Sequence, residues 1–226
     1  MKPNDARKIV LTADGSSTIY NPSLNQHYHS IHGAVQESNH VFMKMGFEAI
    51  QDSSAAGDNI VILEIGFGTG LNAFLVLKEC LSDNCVNVNY ESLEAFPLEE
   101  AEAAQLNYFS ESEKEFFMRL HSSKWNKEEK IAGNFALLKN KIKLQDFIPV
   151  ENKYDLIFFD AFSPEAQPEL WTEEIFRKLY AGMKTKGILV TYCAKGQVRR
   201  NLIAAGFSVE RLEGPPGKRE MLRGGK

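Results

Sequence analysis

The stretch Val61-Ile62-Leu63-Glu64-Ile65-Gly66-Phe67-Gly68-Thr69-Gly70 decides how the rest of this sequence is read. Its first half is an almost unbroken apolar run, the pattern of a strand buried on both faces, as in a parallel sheet covered by helices. Three glycines at alternate positions follow, and Leu71-Asn72-Ala73-Phe74-Leu75-Val76-Leu77 starts a helix. Glycines let the backbone approach a ligand closely and adopt dihedrals closed to other residues. The helix N-terminus adds free N–H groups and a partial positive charge. Together these predict a nucleotide-type site at the end of a first core strand. The bland alternative is a tight turn that binds nothing.

The glycine spacing narrows the ligand. Dinucleotide folds want G-x-G-x-x-G, and Leu71 stands where that pattern needs its third glycine, so an NAD or FAD site is disfavoured. The spacing E-x-G-x-G-x-G instead resembles the first motif of S-adenosylmethionine (SAM) methyltransferases. Their ligand has no pyrophosphate and needs a carboxylate near its sulfonium and amino group. Glu94 stands at the end of the next predicted strand, where doubly wound folds place an acid against ribose hydroxyls. Gln145-Asp146-Phe147 is read as the end of a later strand, the place where methyltransferases often set an acid against the adenine amine.

A chain of 226 residues with 43% apolar content can bury one sizeable core. No segment approaches the roughly 20 apolar residues needed to span a membrane. Met1-Lys2-Pro3-Asn4-Asp5 has no apolar core of a secretory signal. Cys80, Cys85 and Cys193 lack metal spacing and fit reduced thiols, which favours a cytoplasmic protein. His27, His29, His32 and His40 have no partner cysteines and read as loop and surface residues, so no metal site is expected. The net charge of −4 hides an asymmetry. Residues 91–115 hold eight acids against Lys114, whereas residues 184–226 hold ten basic side chains against Glu210, Glu213 and Glu220. A basic end on an acidic protein can guide a polyanion to one face.

Outward from the quoted stretch, strand and helix patterns alternate as in βαβ units. Strands are expected at 86–93, 154–160 and 187–192, with Pro97 opening a helix and another helix at 197–205. A closing strand pair is expected from Phe207-Ser208-Val209-Glu210-Arg211 and Arg219-Glu220-Met221-Leu222. Residues 7–20 read as a hairpin turning at Asp14-Gly15, and 33–50 has helical apolar spacing. The fold class is therefore α/β, a doubly wound, mostly parallel sheet with a terminal antiparallel strand. Residues 1–58 form an N-terminal extension and 59–226 the core. Residues 107–145 interrupt the alternation and are read as an insertion, helical over 113–120, with a hairpin of 135–138, Lys139-Asn140 and 141–144.

Asp160-Ala161-Phe162-Ser163-Pro164-Glu165-Ala166-Gln167-Pro168-Glu169-Leu170-Trp171 is the second informative stretch. An aspartate at the carboxyl end of a buried central strand lies in the crevice where open α/β sheets bind ligands. Two prolines stiffen the loop, and Phe162 and Trp171 are expected as apolar walls. A carboxylate there can orient an amine for in-line attack on a methyl group and accept one of its protons. The plain alternative is that Asp160 only caps its loop.

Five segments in one order then carry a specific resemblance. They are Glu64–Asn72; Glu94-Ala95-Phe96-Pro97; Asp160–Pro164 with Pro168-Glu169-Leu170-Trp171; Val198-Arg199-Arg200 with Ala205-Gly206-Phe207; and Gly217-Lys218-Arg219-Glu220-Met221. With Tyr28-His29-Ser30, Gly33-Ala34, Glu37-Ser38 and Val41-Phe42 upstream, about residues 15–223 resemble the methyltransferase domain of the bifunctional tRNA 5-methylaminomethyl-2-thiouridine biosynthesis family. That family's flavin-dependent oxidase half has no counterpart here, so a stand-alone methyltransferase is expected, with a separate oxidase as a possible partner.

The resemblance implies SAM-dependent N-methylation of 5-aminomethyl-2-thiouridine at the wobble position of tRNA. It implies Asp160 as the catalytic carboxylate, and Glu64, Gly66, Phe67, Gly68, Gly70, Asn72, Glu94 and Asp146 around SAM. Phe162 and Pro164 would line the base pocket, with Tyr28, Ser30 and Glu37 in a segment closing over it. Lys195, Arg199, Lys218 and Arg219 are candidate tRNA contacts on charge and position. One rival is an aminopropyltransferase of the spermidine synthase type, but the loop lacks a second aspartate two or three positions after Asp160. A non-catalytic tRNA-binding module is the other.

Overall fold

The computed structural model describes residues 7–55, 57–81 and 86–226; Cys85 lies outside the described residues. The Asp14-Gly15 turn joins β1 (Lys8–Leu11) to β2 (Ser17–Asn21), and β3 (Gln26–His27) completes a small antiparallel sheet. The helical spacing after Gly33 becomes one run, but not a plain α-helix: α1 (Ala34–Ser38) continues as a π-helix (Asn39–Glu48) and ends in α2 (Ala49–Gln51). It buries Val41, Phe42 and Phe47 against the main sheet, with the Phe42 ring 5.2 Å from that of Phe158.

The core follows as β4 (Asn59–Ile65), α3 (Leu71–Cys80), β5 (Asn87–Leu93), α4 (Glu100–Ala103), α5 (Lys114–Ser122), β6 (Glu128–Ala132) and β7 (Phe135–Asn140). It continues with β8 (Tyr154–Phe159), α6 (Glu173–Gly182), β9 (Met183–Thr191), α7 (Gly196–Ala204), β10 (Ser208–Glu213) and β11 (Glu220–Gly225). Eight strands form one sheet in the order β10-β11-β9-β8-β4-β5-β7-β6, parallel from β9 to β7, with β11 antiparallel between β9 and β10. The apolar run of β4 is buried on both sides because successive side chains alternate between faces. Ile60 and Ile62 join the core under the π-helix and α3, while Val61, Leu63 and Ile65 join the one under α6 and α7.

Two sequence expectations are corrected. The 107–145 stretch, read as an insertion, supplies β6 and β7, which extend the main sheet beyond β5. Its hairpin pairs β6 with β7, not 135–138 with 141–144 across Lys139-Asn140; residues 141–144 form a loop. The apolar run Phe135-Ala136-Leu137-Leu138 made β7 visible, but the charged Glu128-Glu129-Lys130 hid its partner. Finally, α4 starts at Glu100 rather than Pro97, because the capping box of Glu99 and Glu102 closes its first turn there.

Candidate active site

Strand order reverses at β4, which lies between β5 on one side and β8 on the other, so a crevice opens beyond their carboxyl ends. Backbone bonds hold its floor: Gly66 N donates to Leu93 O (2.9 Å) and Asp160 N to Ile65 O (3.1 Å). The glycine loop crosses it with φ of +93° at Gly66, +51° at Gly68 and +73° at Gly70, where Gly70 caps α3 in the left-handed region. A side chain at Gly66 would also put its Cβ 2.9 Å from the Asp160 carbonyl oxygen.

The crevice is a cavity of about 860 Å³ whose wall includes Gly66, Phe67, Gly68, Asn72, Glu94, Asp160, Phe162 and Tyr28. That volume suits a nucleoside-sized ligand with a second group beside it. Glu94 sits half-buried after β5. Its Oε2 accepts from Gly68 N (3.0 Å) and its Oε1 from Phe96 N (2.8 Å), which fixes the carboxylate on the rim with lone pairs still available. Asn72, in the first turn of α3, donates to Asp160 Oδ2 (2.9 Å), while its own buried Oδ1 has no protein partner. A cavity rimmed by one carboxylate and floored by another, with an unpaired amide oxygen between, fits a cationic ligand bearing ribose hydroxyls, as SAM does.

The carboxyl groups titrate differently from free ones. Burial pushes Asp160 up to about 7, and the nearby Glu37 charge adds to the rise, while the Asn72 bond and Lys218 oppose it. Glu64 lies wholly buried under the loop, on the face shared with Tyr90 and Ser92, rather than on the cavity wall. Burial raises it to about 8, and Ser92 Oγ donates to its Oε2 (2.7 Å). Burial thus favours its protonated form, and it lies beneath the site rather than on the cavity wall.

The N-terminal extension covers the opening. The Tyr28 ring packs edge-on to Phe162, centroids 4.9 Å apart, and lies against Gly68. Arg7 bonds Glu102 (3.0 Å) and the carbonyls of Phe96 (3.2 Å) and Pro97 (3.4 Å), tying the extension to the loop after β5. His29 also lines the cavity, in contrast to the surface role expected for it; desolvation lowers it to about 4, so its ring is neutral. Ser30 N donates to Glu37 (2.8 Å), and buried Glu37 forms an ion pair with Lys218, whose ammonium lies 3.9 Å above the Tyr192 ring. This group adjoins Asp160 from the side of the C-terminal hairpin.

Several expected residues fall elsewhere. Asp146 is exposed in a turn rather than at a strand end, and its neighbour Gln145 is on the wall. Trp171 is buried and does not line the cavity; its Nε1 donates to Phe162 O (2.8 Å) and so fixes the loop carrying Phe162. Pro164 is half-buried in that loop, off the wall. Lys195 forms an ion pair with Glu165, Arg199 is half-buried with its Nε unpaired, and Arg219 is exposed. Lys139 is 1% exposed and closed to a polyanion. Arg7, Tyr192 and His121 carry no motif, and only the fold brings them to the loop or its rim.

A family description of S-adenosyl-L-methionine-dependent methyltransferases matches residues 103–226. The chain is 34% identical over 214 residues to the tRNA 5-methylaminomethyl-2-thiouridine biosynthesis bifunctional protein MnmC of Leptospira borgpetersenii serovar Hardjo-bovis, covering 87% of this chain and 32% of that protein. It is 30% identical to the protein of the same name from Ectopseudomonas mendocina, covering 98% of this chain and 35% of that one. The chain thus spans about a third of the length of these curated relatives. Its fold is similar to the crystal structure of MNMC2 from Aquifex aeolicus, with a TM-score of 0.79, 26% identity, and coverage of 99% of this chain and 71% of that one. Spermidine synthase from Thermotoga maritima, at 14% identity and a TM-score of 0.53 over 98% of this chain and 70% of that one, shares the fold alone.

Proposed function

Since the chain belongs to the S-adenosyl-L-methionine-dependent methyltransferase family, we propose that it methylates the amino group of 5-aminomethyl-2-thiouridine at the tRNA wobble position, giving 5-methylaminomethyl-2-thiouridine. The single observation that carries this reading is Asp160, a half-buried carboxylate at the end of β8 that is held by Asn72 and open to the cavity beside the glycine loop. The bound cofactor supplies a methyl group on a positively charged sulfur. Glu94 on the rim and the loop from Gly66 to Gly70 would hold its nucleoside part.

Tyr28 and Phe162 form an aromatic corner next to Asp160, suited to a flat base turned out of the anticodon loop. Asp160 as carboxylate would accept a hydrogen bond from the substrate amine, aim its lone pair at the methyl group, and take the proton that the new secondary ammonium releases. The names of the relatives support the tRNA substrate, and Arg219 in the C-terminal hairpin is an exposed cation. On this reading the protein works in the cytoplasm, and an oxidase activity handles the preceding intermediate. The reading is tested by mass spectrometry of wobble nucleosides from cells lacking this chain. Accumulated 5-aminomethyl-2-thiouridine supports it, and an unchanged nucleoside profile contradicts it.

A further inference from the structure

The underside of the glycine loop holds a feature that methyl transfer leaves unexplained. Lys139 of β7 is 1% exposed, and among the described residues it forms no ion pair. Its Nζ donates to the His121 carbonyl oxygen (2.7 Å) in the last turn of α5. Helix ends leave carbonyls unpaired and carry partial negative charge, so an ammonium is well placed there. The same ammonium lies 4.6 Å from the Trp125 ring centroid and 5.2 Å from that of Phe67, within cation–π range.

From this point the interactions lead into the loop. His121 Nε2 donates to the Thr69 carbonyl oxygen (3.0 Å), and the His121 ring packs edge-on to Phe67, centroids 5.3 Å apart. Phe67 and Thr69 both line the cavity. Desolvation lowers His121 to about 4, so the ring is neutral and its Nε2 carries the proton that this bond needs. The left-handed Gly70 is pressed on the same ring: a Cβ there would come 2.8 Å from His121 Nε2. Burying a lone cation is costly unless its partners are well placed, and all of Lys139's partners lead to the loop.

We propose that Lys139 and His121 are positioning residues for the cofactor: Lys139 fixes the end of α5 and the Phe67 ring, and His121 fixes the Thr69 carbonyl, so that the loop is held in its binding geometry before ligand arrives. Preorganisation of this kind acts on affinity rather than on the chemical step. The inference rests on the reading that the loop from Gly66 to Gly70 binds SAM.

The test is calorimetry of SAM binding, with melting curves, amide hydrogen exchange and kcat, on the parent, Lys139→Met and His121→Leu. The second variant keeps the Lys139 bond, because that bond is to backbone. Each variant is expected to raise the SAM Kd about tenfold, equal to about 1.4 kcal/mol, with kcat at saturating SAM within about twofold of the parent. Exchange at residues 66–70 should quicken in the ligand-free variants while that of α6 stays unchanged. A folded variant that binds SAM within about twofold of the parent overturns the proposal, as does failure of both variants to fold, which would make the network a stability element. A parent that does not bind SAM would instead sink the reading of the loop itself.

Discussion

Asp160 must be a carboxylate to align an amine, yet burial lifts it to about 7, with Glu37 adding to the rise. Activity should therefore fall as pH drops below about 7. In kcat/KM that limb belongs to the free enzyme, and it overlaps the ionisation of the substrate amine. Asp160→Asn keeps the shape and removes the titration. Turnover should drop about 10²- to 10⁴-fold with SAM affinity near normal, and the limb near 7 should vanish while the limb of the amine remains. Turnover close to that of the parent would make Asp160 structural. On the proposed reading Glu94 belongs to the binding half of the reaction. Glu94→Ala strands the Gly68 and Phe96 amides and removes an acceptor for ribose hydroxyls. SAM affinity should weaken by about 1.5–3 kcal/mol for each charge-assisted bond removed. Unchanged affinity by calorimetry in a folded variant would remove Glu94 from the site.

Among the elements, β4, the glycine loop and α3 were legible because their signals are local: an apolar run, alternate glycines, then helical spacing. Asp160 was legible for the same reason, standing at the end of the apolar run of β8. What stayed hidden depends on partners distant in sequence. His29 looks like a loop residue until β2 and β3 carry it to Thr69, 3.3 Å away. Lys139 reads as a hairpin residue until the pleat of β7 turns it inward. The C-terminal hairpin was legible as a strand pair but not in its division of labour. Lys218 pairs with Glu37 and acts on Asp160, so reversing its charge would disturb the site itself. Arg219, exposed in the same hairpin, is the clean probe of tRNA binding. Arg219→Glu should weaken tRNA affinity, and the slope of log affinity against log salt should flatten by about 0.7–0.9 for each phosphate that is no longer neutralised. SAM affinity and the melting curve should not change. Filter binding at several salt concentrations reads the slope, and a parent-like slope would place the tRNA on another face.

For the whole molecule, one sheet serves both to fold the chain and to build the site, and the two demands conflict under it. Glu64 is wholly buried and raised to about 8, from an ordinary value near 4.5. In that window the folded chain holds a proton that the unfolded chain has released, so stability falls as pH rises from about 4.5 to 8. Asp160 adds a loss of the same sign up to about 7. Glu64→Gln removes the first of these. The ligand-free variant should melt above the parent at pH 8–9 and show less change at low pH, read by thermal melts across the range; an identical pH dependence would mean that Glu64 is ionised in the fold. The extension is the other whole-molecule device, since Tyr28 and Arg7 close the cavity from one side while the loop after β8 closes it from the other. Such a cleft suits a single base taken from a larger partner. The most direct measurement is to incubate the purified protein with SAM and tRNA carrying 5-aminomethyl-2-thiouridine, then digest the tRNA and weigh its nucleosides. This nucleoside alone is expected to be replaced by its 5-methylaminomethyl form, and Asp160→Asn is expected to abolish the change. An unmodified wobble nucleoside from a protein that binds SAM would contradict the proposed function.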